Sequence, residues 1–453
     1  MIERDCHPPG PRGAQAIRLF DKFLKKDWDD DLCSLYSEFG PIVFIPGAGS
    51  SSCGVPRSLF GMTPISSFAL VVGPAYARLI LSDPLKFPRG LLNQISAERP
   101  DGTFDFWPSL AAMDGKSHLI HRQQMMQVFK PAQLAKYSAT IDSHLKDRFA
   151  ALPSKLDVHP YVSSLILEII CRVVIGVSIE TPASQIFMKQ FNELMALQSS
   201  CSRLYELKEH VFGFLEEIYH ERIMCPGNDA ITVLAQCSSQ DGTLTKTEVL
   251  QHVYSLLDFG ISDLALMLTY AIGHIARQPD VQQQLRRESV NLCDYARGIQ
   301  PLFPKTVSFI TEVERLHPPV RSLYRYVVTD FDCEGYVIPA ETVVIVAIEL
   351  GHLLESVFER PREFLPFRHL EGAADRGSCR VIGFGHGSHS CVAKQLCYVI
   401  ATRALLTLLR SYTIASEREV PPITYQGYDQ SPSQPVVVRL ARYGETQECS
   451  SLI

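Results

Sequence analysis

Hydrophobic and polar positions along the chain follow two different periods. Short apolar runs that end at Gly/Pro turn signals occupy the first hundred residues, and the runs at 41–45 and 67–72 predict β-strands. From about 109 to 315 the apolar positions follow helical spacing. Prolines divide that stretch into separate helices at Pro131, Pro153, Pro182, Pro226, Pro279 and Pro304.

Beyond residue 315 the pattern changes twice. Residues 326–328 and 342–346 predict two further strands, joined through Glu334-Gly335, and helical spacing returns from about 392 to 410. Strands that flank a long helical stretch predict an α+β fold, mainly α with small β-sheets.

One predicted helix is unusually long. Thr245 and Glu248 have capping-box spacing, and the helical pattern continues to Arg277 before Pro279. About 30 residues at about 1.5 Å each would span about 45 Å.

The middle of this helix is polar where a buried helix should be apolar. Asp258, Gly260, Ser262 and Asp263 lie there. One interpretation is a tolerated glycine among satisfied polar side chains. The other is that the helix passes a cofactor or substrate at this point.

Composition and charge exclude several classes of protein. The 453 residues are 46% hydrophobic and 20% charged, which is typical of a globular protein with ample core. The net charge of -6 and the pI near 6.2 lack the basic excess of nucleic-acid-binding proteins, so we expect no nucleic-acid partner. No repeat or linker divides the chain, so we expect one domain over about 1–443. Its N-terminal part, to about 105, is rich in predicted strands, and the part from about 106 is mainly helical. We expect residues 444–453 to form a disordered tail.

Cysteine usage and the N-terminus indicate a cytoplasmic location. The 13 cysteines are odd in number and none form a C-x-x-C pair, which argues against disulfides, zinc ribbons and c-type haem attachment. The first 13 residues are rich in charge and proline, without a signal-peptide pattern. The apolar stretches at 162–179 and 256–275 each contain charged residues, which favours buried core helices over membrane spans.

The segment before Cys391 carries the clearest chemical signal. Gly383, Gly385 and Gly387 alternate ahead of the cysteine, and such glycines allow a tight loop whose amides approach a sulfur. A following helix N-terminus favours a thiolate, which is a nucleophile or a metal ligand. Because no general base is adjacent, a ligand to a soft metal centre fits better. The alternative is that Cys391 is a small buried hydrophobe. A dinucleotide fingerprint fails at Ser388.

This segment resembles the signature F-G-x-G-x-[HR]-x-C-x-G of the haem-thiolate cytochrome P450 superfamily, in its soluble bacterial type. Five positions match in register, namely Phe384, Gly385, Gly387, His389 and Cys391. Ala393 replaces the last glycine. The resemblance implies a cytochrome P450 fold with a long central helix over haem b. It also implies Cys391 as the iron ligand, with Phe384 and Gly385 in the cofactor-binding loop.

Two further groups of residues extend the resemblance along the chain. Glu312 and Arg315 match the E-x-x-R pair of the family, and Arg368 matches the arginine that joins it in support of the haem. The basic positions that resemble haem-propionate donors are His118, Arg122, Arg325 and His389.

The long helix departs from the family pattern [AG]-G-x-[DE]-T-T. Gly260 falls on the motif glycine, Ser262 on the acid and Asp263 on the first threonine. The resemblance implies that these three residues are catalytic, because the family's acid and threonine carry protons to bound dioxygen. Three interpretations of this exchange of acid and hydroxyl residues remain open. Ser262 and Asp263 transfer protons to dioxygen in an altered geometry, or the enzyme does not cleave dioxygen in the usual way. Alternatively, Asp263 binds a cationic or hydroxylated substrate.

The resemblance implies a monooxygenase that inserts one oxygen atom from O2 into a small apolar organic substrate of secondary or lipid, terpenoid or polyketide metabolism. Electrons would come from a separate ferredoxin or flavodoxin-type donor, and the chain would be a monomer. The first alternative is atypical chemistry on the same fold, as in a dehydratase, isomerase, cyclase or peroxygenase. The second is a haem-binding sensor without catalysis.

Overall fold

The computed structural model describes residues 7–24, 31–47, 65–89, 96–98, 104–106, 110, 113–178, 180–196, 202–293, 302–370, 381–426 and 429–444. Its α-helices are α1 (Gly13–Leu24), α2 (Asp31–Phe39), α3 (Pro74–Ser82), α4 (Gly115–Val128), α5 (Pro131–Arg148), α6 (Val158–Val174), α7 (Pro182–Ala196), α8 (Ser202–Met224), α9 (Ala230–Asp241), α10 (Lys246–Ile275), α11 (Pro279–Glu288), α12 (Pro304–Leu316), α13 (Ile348–His352) and α14 (Lys394–Ser411). Short 3-10 helices occupy Ser289–Cys293 and Gly387–His389.

The strands are short and fewer residues belong to them than to the helices. They are β1 (Ile42–Pro46), β2 (Ser67–Val72), β3 (Ser96–Glu98), β4 (Phe104–Phe106), β5 (Lys155–Asp157), β6 (Ser322–Tyr326), β7 (Phe331–Cys333), β8 (Tyr336–Ile338), β9 (Thr342–Ala347), β10 (Tyr412–Ala415), β11 (Ile423–Gln426), β12 (Asp429–Pro432) and β13 (Val437–Arg442). The predicted α+β class, mainly helical with small sheets, is confirmed.

The chain divides into two compact units. Unit 1 comprises residues 1–121, 320–363 and 378–391, and unit 2 comprises residues 122–319, 364–377 and 392–453, as far as these ranges are described. The expectation of a single domain stays a prediction. Nearly all of the predicted tail, from residue 445 onward, lies outside the described residues.

Unit 1 is built on a four-stranded sheet in the order β1-β2-β9-β6. β2 is antiparallel to β1 and parallel to β9, and β9 is antiparallel to β6. All six residues of β2 and all six of β9 are buried, because apolar clusters pack on both faces of the sheet. A strand that is covered on both faces reads as a continuous apolar run, which is why the sequence pattern located these two strands.

The strand predicted at 326–328 is wrong in position. The structure places β6 at Ser322–Tyr326, four residues earlier. The ladder pairs Tyr326 with Val343 and Ser322 with Ala347. The prediction followed the apolar residues Val327 and Val328, whereas backbone pairing to β9 sets the strand and polar side chains within it are tolerated.

Unit 2 is a helical assembly around α10. The side chain of Thr245 accepts a hydrogen bond from the Glu248 amide, and the Glu248 carboxylate accepts one from the Thr245 amide at 2.7 Å. These two bonds form the predicted capping box, and α10 then runs for 30 residues. Pro131, Pro182, Pro279 and Pro304 each open a helix, as proline at the first helical position favours.

α10 is the one helix in the described ranges that is long and apolar enough to cross a bilayer by length and composition alone. Its most apolar window is 61% buried inside the protein. Core helices of ordinary globular proteins meet the same two criteria, so the finding is weak evidence for a membrane span.

We expect Thr245→Ala to lower the free energy of unfolding by about 1 kcal/mol, because the cap of α10 is lost. Urea denaturation measures the effect. Thr247→Ala is the matched control, since Thr247 lies on the exposed first turn of the same helix. The control should change the free energy by less than about 0.5 kcal/mol. Equal losses in the two variants would show that the capping box does not stabilise α10.

Candidate functional site

The loop before Cys391 adopts a conformation that favours glycine at two positions. Gly385 has φ +73° and Gly387 has φ +72°, in the left-handed region. A Cβ atom on Gly387 would lie 2.2 Å from the carbonyl oxygen of Leu81, so a side chain has no room there. The close approach fixes this loop against the end of α3.

Backbone hydrogen bonds fold the loop under the cysteine. The Gly385 amide donates to the Ile382 carbonyl at 2.8 Å, and the Cys391 amide donates to the Phe384 carbonyl at 2.8 Å. The Ile382 amide donates to Nε2 of the buried His352 at 3.0 Å. The position of the cysteine is thus determined by the backbone of unit 1.

Cys391 is exposed within this arrangement, which disagrees with the interpretation as a buried hydrophobe. Among the described cysteines, Cys171, Cys237 and Cys333 are buried. Burial raises the pKa of the Cys171 thiol to about 12 and that of the Cys333 thiol to about 11, so these two thiols stay protonated at neutral pH. An accessible sulfur on a rigid loop suits a soft metal ligand.

Basic side chains lie close to the Asp114 carboxylate in the described part of the same unit. The rings of His118 and His389 stack with centroids 3.9 Å apart, and both residues are buried. Nε2 of His389 lies 3.1 Å from Oδ1 of Asp114, which also accepts a hydrogen bond from the Arg89 amide at 3.0 Å. Arg325 is 1% exposed and donates to the Tyr324 carbonyl at 2.7 Å.

The electrostatics of this cluster favour a bound anion. Burial and the charge of Arg89 together lower the pKa of Arg325 to about 9, although the charge of Asp114 opposes the change. Burial also lowers the pKa of His389. The charges of Arg325 and Arg89 lower this pKa as well, whereas the hydrogen bond to Asp114 and the charge of Asp114 act in the opposite direction. A buried guanidinium such as that of Arg325 is costly to keep charged, so an external anionic group would stabilise it.

Sequence reasoning found His118, Arg325 and His389 of this cluster but missed Arg89. Its signal was slight, a basic residue between Pro88 and Gly90 in a turn. Arg122, one turn after His118 on α4, is half-buried and belongs to unit 2. The donor set fits haem b, because an accessible thiol can bind the iron and the basic cluster can hold propionates.

A buried ionic network stands in unit 2 around Glu312. Arg315 donates to both carboxylate oxygens at 2.8 Å, Arg368 donates to Oε1 at 3.0 Å, and His369 Nε2 lies 3.0 Å from Oε2. The Leu365 amide donates to Oε1 at 3.0 Å. The structure therefore brings the three predicted residues together and adds His369, which sequence reasoning missed. Their support of a haem stays a prediction.

Hydrogen bonding decides the charge state of Glu312. Burial alone would raise its pKa, but hydrogen bonds from Arg315 and His369 outweigh burial and lower the pKa to about 2. The carboxylate is therefore ionised at neutral pH, with each of its oxygens bonded.

The middle of α10 is open on one side. Phe259 is 55% exposed, Ser262 is exposed and Asp263 is half-buried. These residues are three and four positions apart, so they share one face of the helix. A Cβ on Gly260 would lie 3.6 Å from the Ile170 side chain, so the helix packs against α6 at this position. The structure therefore leaves Ser262 exposed and Asp263 half-buried, whereas Gly260 contacts a neighbouring helix.

The two carboxyl groups in the middle of α10, those of Asp258 and Asp263, are difficult to ionise. Burial raises the pKa of Asp258 to about 6. Burial raises the pKa of Asp263 to about 6 as well, with a further contribution from the charge of Asp258. Carboxyl groups with such values can hold and release protons near neutral pH.

Comparisons with known proteins agree with these features. The family model described as Cytochrome P450 matches residues 220–435. The cholesterol side-chain cleavage enzyme of Sus scrofa is 31% identical over 175 residues, 38% of this chain and 34% of that enzyme. The match thus spans about a third of the enzyme's length. A Mycobacterium tuberculosis protein described as cytochrome P450 136 is 24% identical over 414 residues, 86% of this chain and 79% of that protein.

Solved structures show the same fold. The retinoic acid bound cyanobacterial CYP120A1 has a TM-score of 0.75 at 17% identity, covering 96% of this chain and 99% of that one. Cytochrome P450 CYP109Q5 from Chondromyces apiculatus has a TM-score of 0.66 at 20% identity, covering 83% and 90%. The predicted cytochrome P450 fold is confirmed.

Gly387→Ala should lower the free energy of unfolding by roughly 2 kcal/mol or more, because a left-handed conformation and a clash with Leu81 are both imposed. Urea denaturation measures the loss. Gly213→Ala in α8 is the control, since no atom lies within 4 Å of its Cβ position. It should raise the free energy by about 0.5–1 kcal/mol. A tolerated alanine at 387 would contradict the loop geometry.

Glu312→Gln should lower the free energy of unfolding by roughly 3–5 kcal/mol, because a buried ion pair loses one partner. Glu363→Gln is the matched control, since Glu363 pairs with Arg360 at the same i,i+3 spacing but is exposed. Its effect should stay under about 0.5 kcal/mol.

The Glu312 effect should also depend on pH in one direction. The depressed pKa stabilises the fold fully above the ordinary value of 4.5, and this stabilisation is lost as pH falls through about 2. The difference between wild type and Glu312→Gln should narrow over that range. A difference that is constant or grows on acidification would contradict an ionised Glu312.

Proposed function

Because the chain belongs to the cytochrome P450 superfamily, whose members are oxidoreductases that bind haem b, we propose that it is a haem-thiolate monooxygenase. The observation that carries this proposal is the accessible Cys391 sulfur on a backbone-fixed glycine loop. The proposed reaction inserts one oxygen atom from O2 into a small apolar organic substrate and reduces the other oxygen atom to water.

The cofactor would be held by residues that already have the required chemistry. The Cys391 thiolate would bind the iron, and Phe384 and Gly385 would form the loop beneath it. The propionate carboxylates would be held by Arg89, His118, Arg122, Arg325 and His389. Haem b bound in this way would supply dioxygen activation and oxygen-atom transfer. The Glu312, Arg315 and Arg368 network would keep this support rigid.

Ser262 and Asp263 would carry the protons that the reaction consumes. The Asp263 carboxyl group can hold a proton near neutral pH, because its pKa is raised to about 6. The Ser262 hydroxyl lies on the same open face and can pass a proton on, since a hydroxyl both donates and accepts. Gly260 would allow close packing of α10 on α6 at this level.

The relatives also bear on the substrate, the redox partner and the location that we propose. The relatives include an enzyme named for cholesterol and a protein bound to retinoic acid, which supports an apolar substrate for this chain. We propose secondary or lipid, terpenoid or polyketide metabolism as its setting. A ferredoxin or flavodoxin-type donor would deliver electrons to a cytoplasmic monomer.

A second candidate function is favoured by the same stretch of α10. Phe259, Ser262 and Asp263 stand where the family pattern has a small residue, an acid and a threonine. A proton-bearing carboxyl group there also suits a dehydratase, isomerase, cyclase or peroxygenase on the same fold. Such an enzyme would turn substrate over without reductant-dependent uptake of O2.

Cys391→Ser tests the first proposal. The reduced wild-type holoprotein should give a thiolate-type carbon monoxide difference spectrum and incorporate label from ¹⁸O2 into product with a surrogate redox partner. The variant should lose both, since serine is a poor ligand for this iron. Cys225→Ser, at an exposed cysteine after α8, should keep both.

The outcomes separate the candidates. A histidine-type spectrum in wild type, or an unchanged spectrum in Cys391→Ser, would overturn haem-thiolate binding. A normal spectrum with turnover but no ¹⁸O label would reject the monooxygenase and favour the second candidate.

A further inference from the structure

The open face of α10 carries a large aromatic side chain among polar ones. Ser255, Phe259, Ser262 and Asp263 follow i, i+4, i+7 and i+8 spacing and form one stripe. Leu266 continues the stripe and is fully buried, so the open region ends there. Phe259 is the apolar exception, 55% exposed on a helix whose C-terminal half is buried.

Among the described residues, Asp263 has no cationic partner, whereas three buried carboxylates of this chain each have one. Glu312 has Arg315, Glu168 has Arg148 at 2.5 Å and His144 at 2.8 Å, and Asp229 has Arg222 at 2.7 Å. Within the described part of the chain, neither Asp258 nor Asp263 forms a hydrogen bond through its carboxylate or an ion pair.

Carboxylates in such surroundings are destabilised until a positive charge approaches them. The charge of Asp258 disfavours ionisation of Asp263 further and raises its pKa. An unpaired carboxylate in a partly dehydrated setting is costly, and a cation offsets the cost. The Phe259 ring is a second attractive group, because the face of an aromatic ring attracts cations. Residues four apart on a helix are neighbours, so one cation can reach both side chains.

We propose that the substrate carries a positively charged nitrogen, bound by the Asp263 carboxylate and the Phe259 ring on an otherwise apolar molecule. The inference rests on the proposed function, because α10 meets substrate only if the chain is an enzyme of this family. Cation binding and proton transfer are compatible. A bound cation would keep Asp263 ionised, so in that complex the proton would be held by Asp258, whose pKa is raised to about 6 by burial.

A pair of isosteric probes tests the proposal on the purified holoprotein. Decanoylcholine carries a quaternary ammonium, which cannot bind iron directly, and 3,3-dimethylbutyl decanoate is its neutral carbon isostere. Spectral titration with both gives their dissociation constants. Wild type should bind the cation at least roughly tenfold more tightly, a difference of about 1.4 kcal/mol. Probes with shorter and longer acyl chains allow for the unknown pocket length.

Three variants identify the residues that cause the preference for the cationic probe. Asp263→Asn should lose the roughly tenfold preference for the cation while keeping affinity for the neutral probe, and Phe259→Leu should lose part of it. Asp280→Asn, on the exposed N-terminus of α11, is the matched control and should keep the full preference.

Equal affinities in wild type, or no response to either probe across the acyl series, would overturn the inference without needing any variant. A preference that survives in Asp263→Asn would overturn the assigned site. The carbon monoxide spectrum of each protein is recorded first. A missing thiolate spectrum in wild type would reject the proposed function itself, whereas a normal spectrum without cation preference rejects only this inference.

Discussion

The close approach of Gly387 to the Leu81 carbonyl is the constraint on which the rest of the account depends. Because no side chain fits at that point, the loop keeps a left-handed turn, and its backbone then accepts and donates the bonds that present Cys391. A sulfur held by backbone geometry needs no ligand to order it. This preorganisation is what a metal site requires, since binding then costs little conformational entropy.

Charge is distributed between the two units in a way that hydrophobic folding alone does not explain. In the described part of unit 1, Arg325 is buried and the Asp114 carboxylate opposes the fall in its pKa. Unit 2 carries Asp258 and Asp263 on α10 without cationic partners among the described residues. Each arrangement costs stability, whereas the Glu312 network shows that the chain can satisfy buried charge completely where rigidity alone is needed. Buried charge that is only partly compensated is typical of binding sites rather than of core.

The sequence analysis correctly located those elements of the fold that are determined by residues close together in the chain. The capping box at Thr245, the prolines that open four helices and the fully buried strands β2 and β9 each depend on neighbouring residues or on a plain apolar run. The position of β6 depends on pairing with a distant strand, so its apolar neighbours misled the prediction. The alignment of Gly260, Ser262 and Asp263 with the family pattern could be made from the sequence. The contact of Gly260 with α6 could not, because it depends on how the two helices pack. Arg89 and His369 were missed for the same reason, because each gains its role from residues far away in the chain.

The central claim is that the Cys391 sulfur is the ligand of a haem iron. Iron-edge X-ray absorption on the ferric holoprotein tests it most directly, because sulfur and nitrogen neighbours of the metal scatter differently. The account predicts one sulfur atom in the first coordination shell of the wild-type iron and none after substitution of Cys391 by serine. A first shell of nitrogen and oxygen atoms alone in the wild-type protein would contradict it.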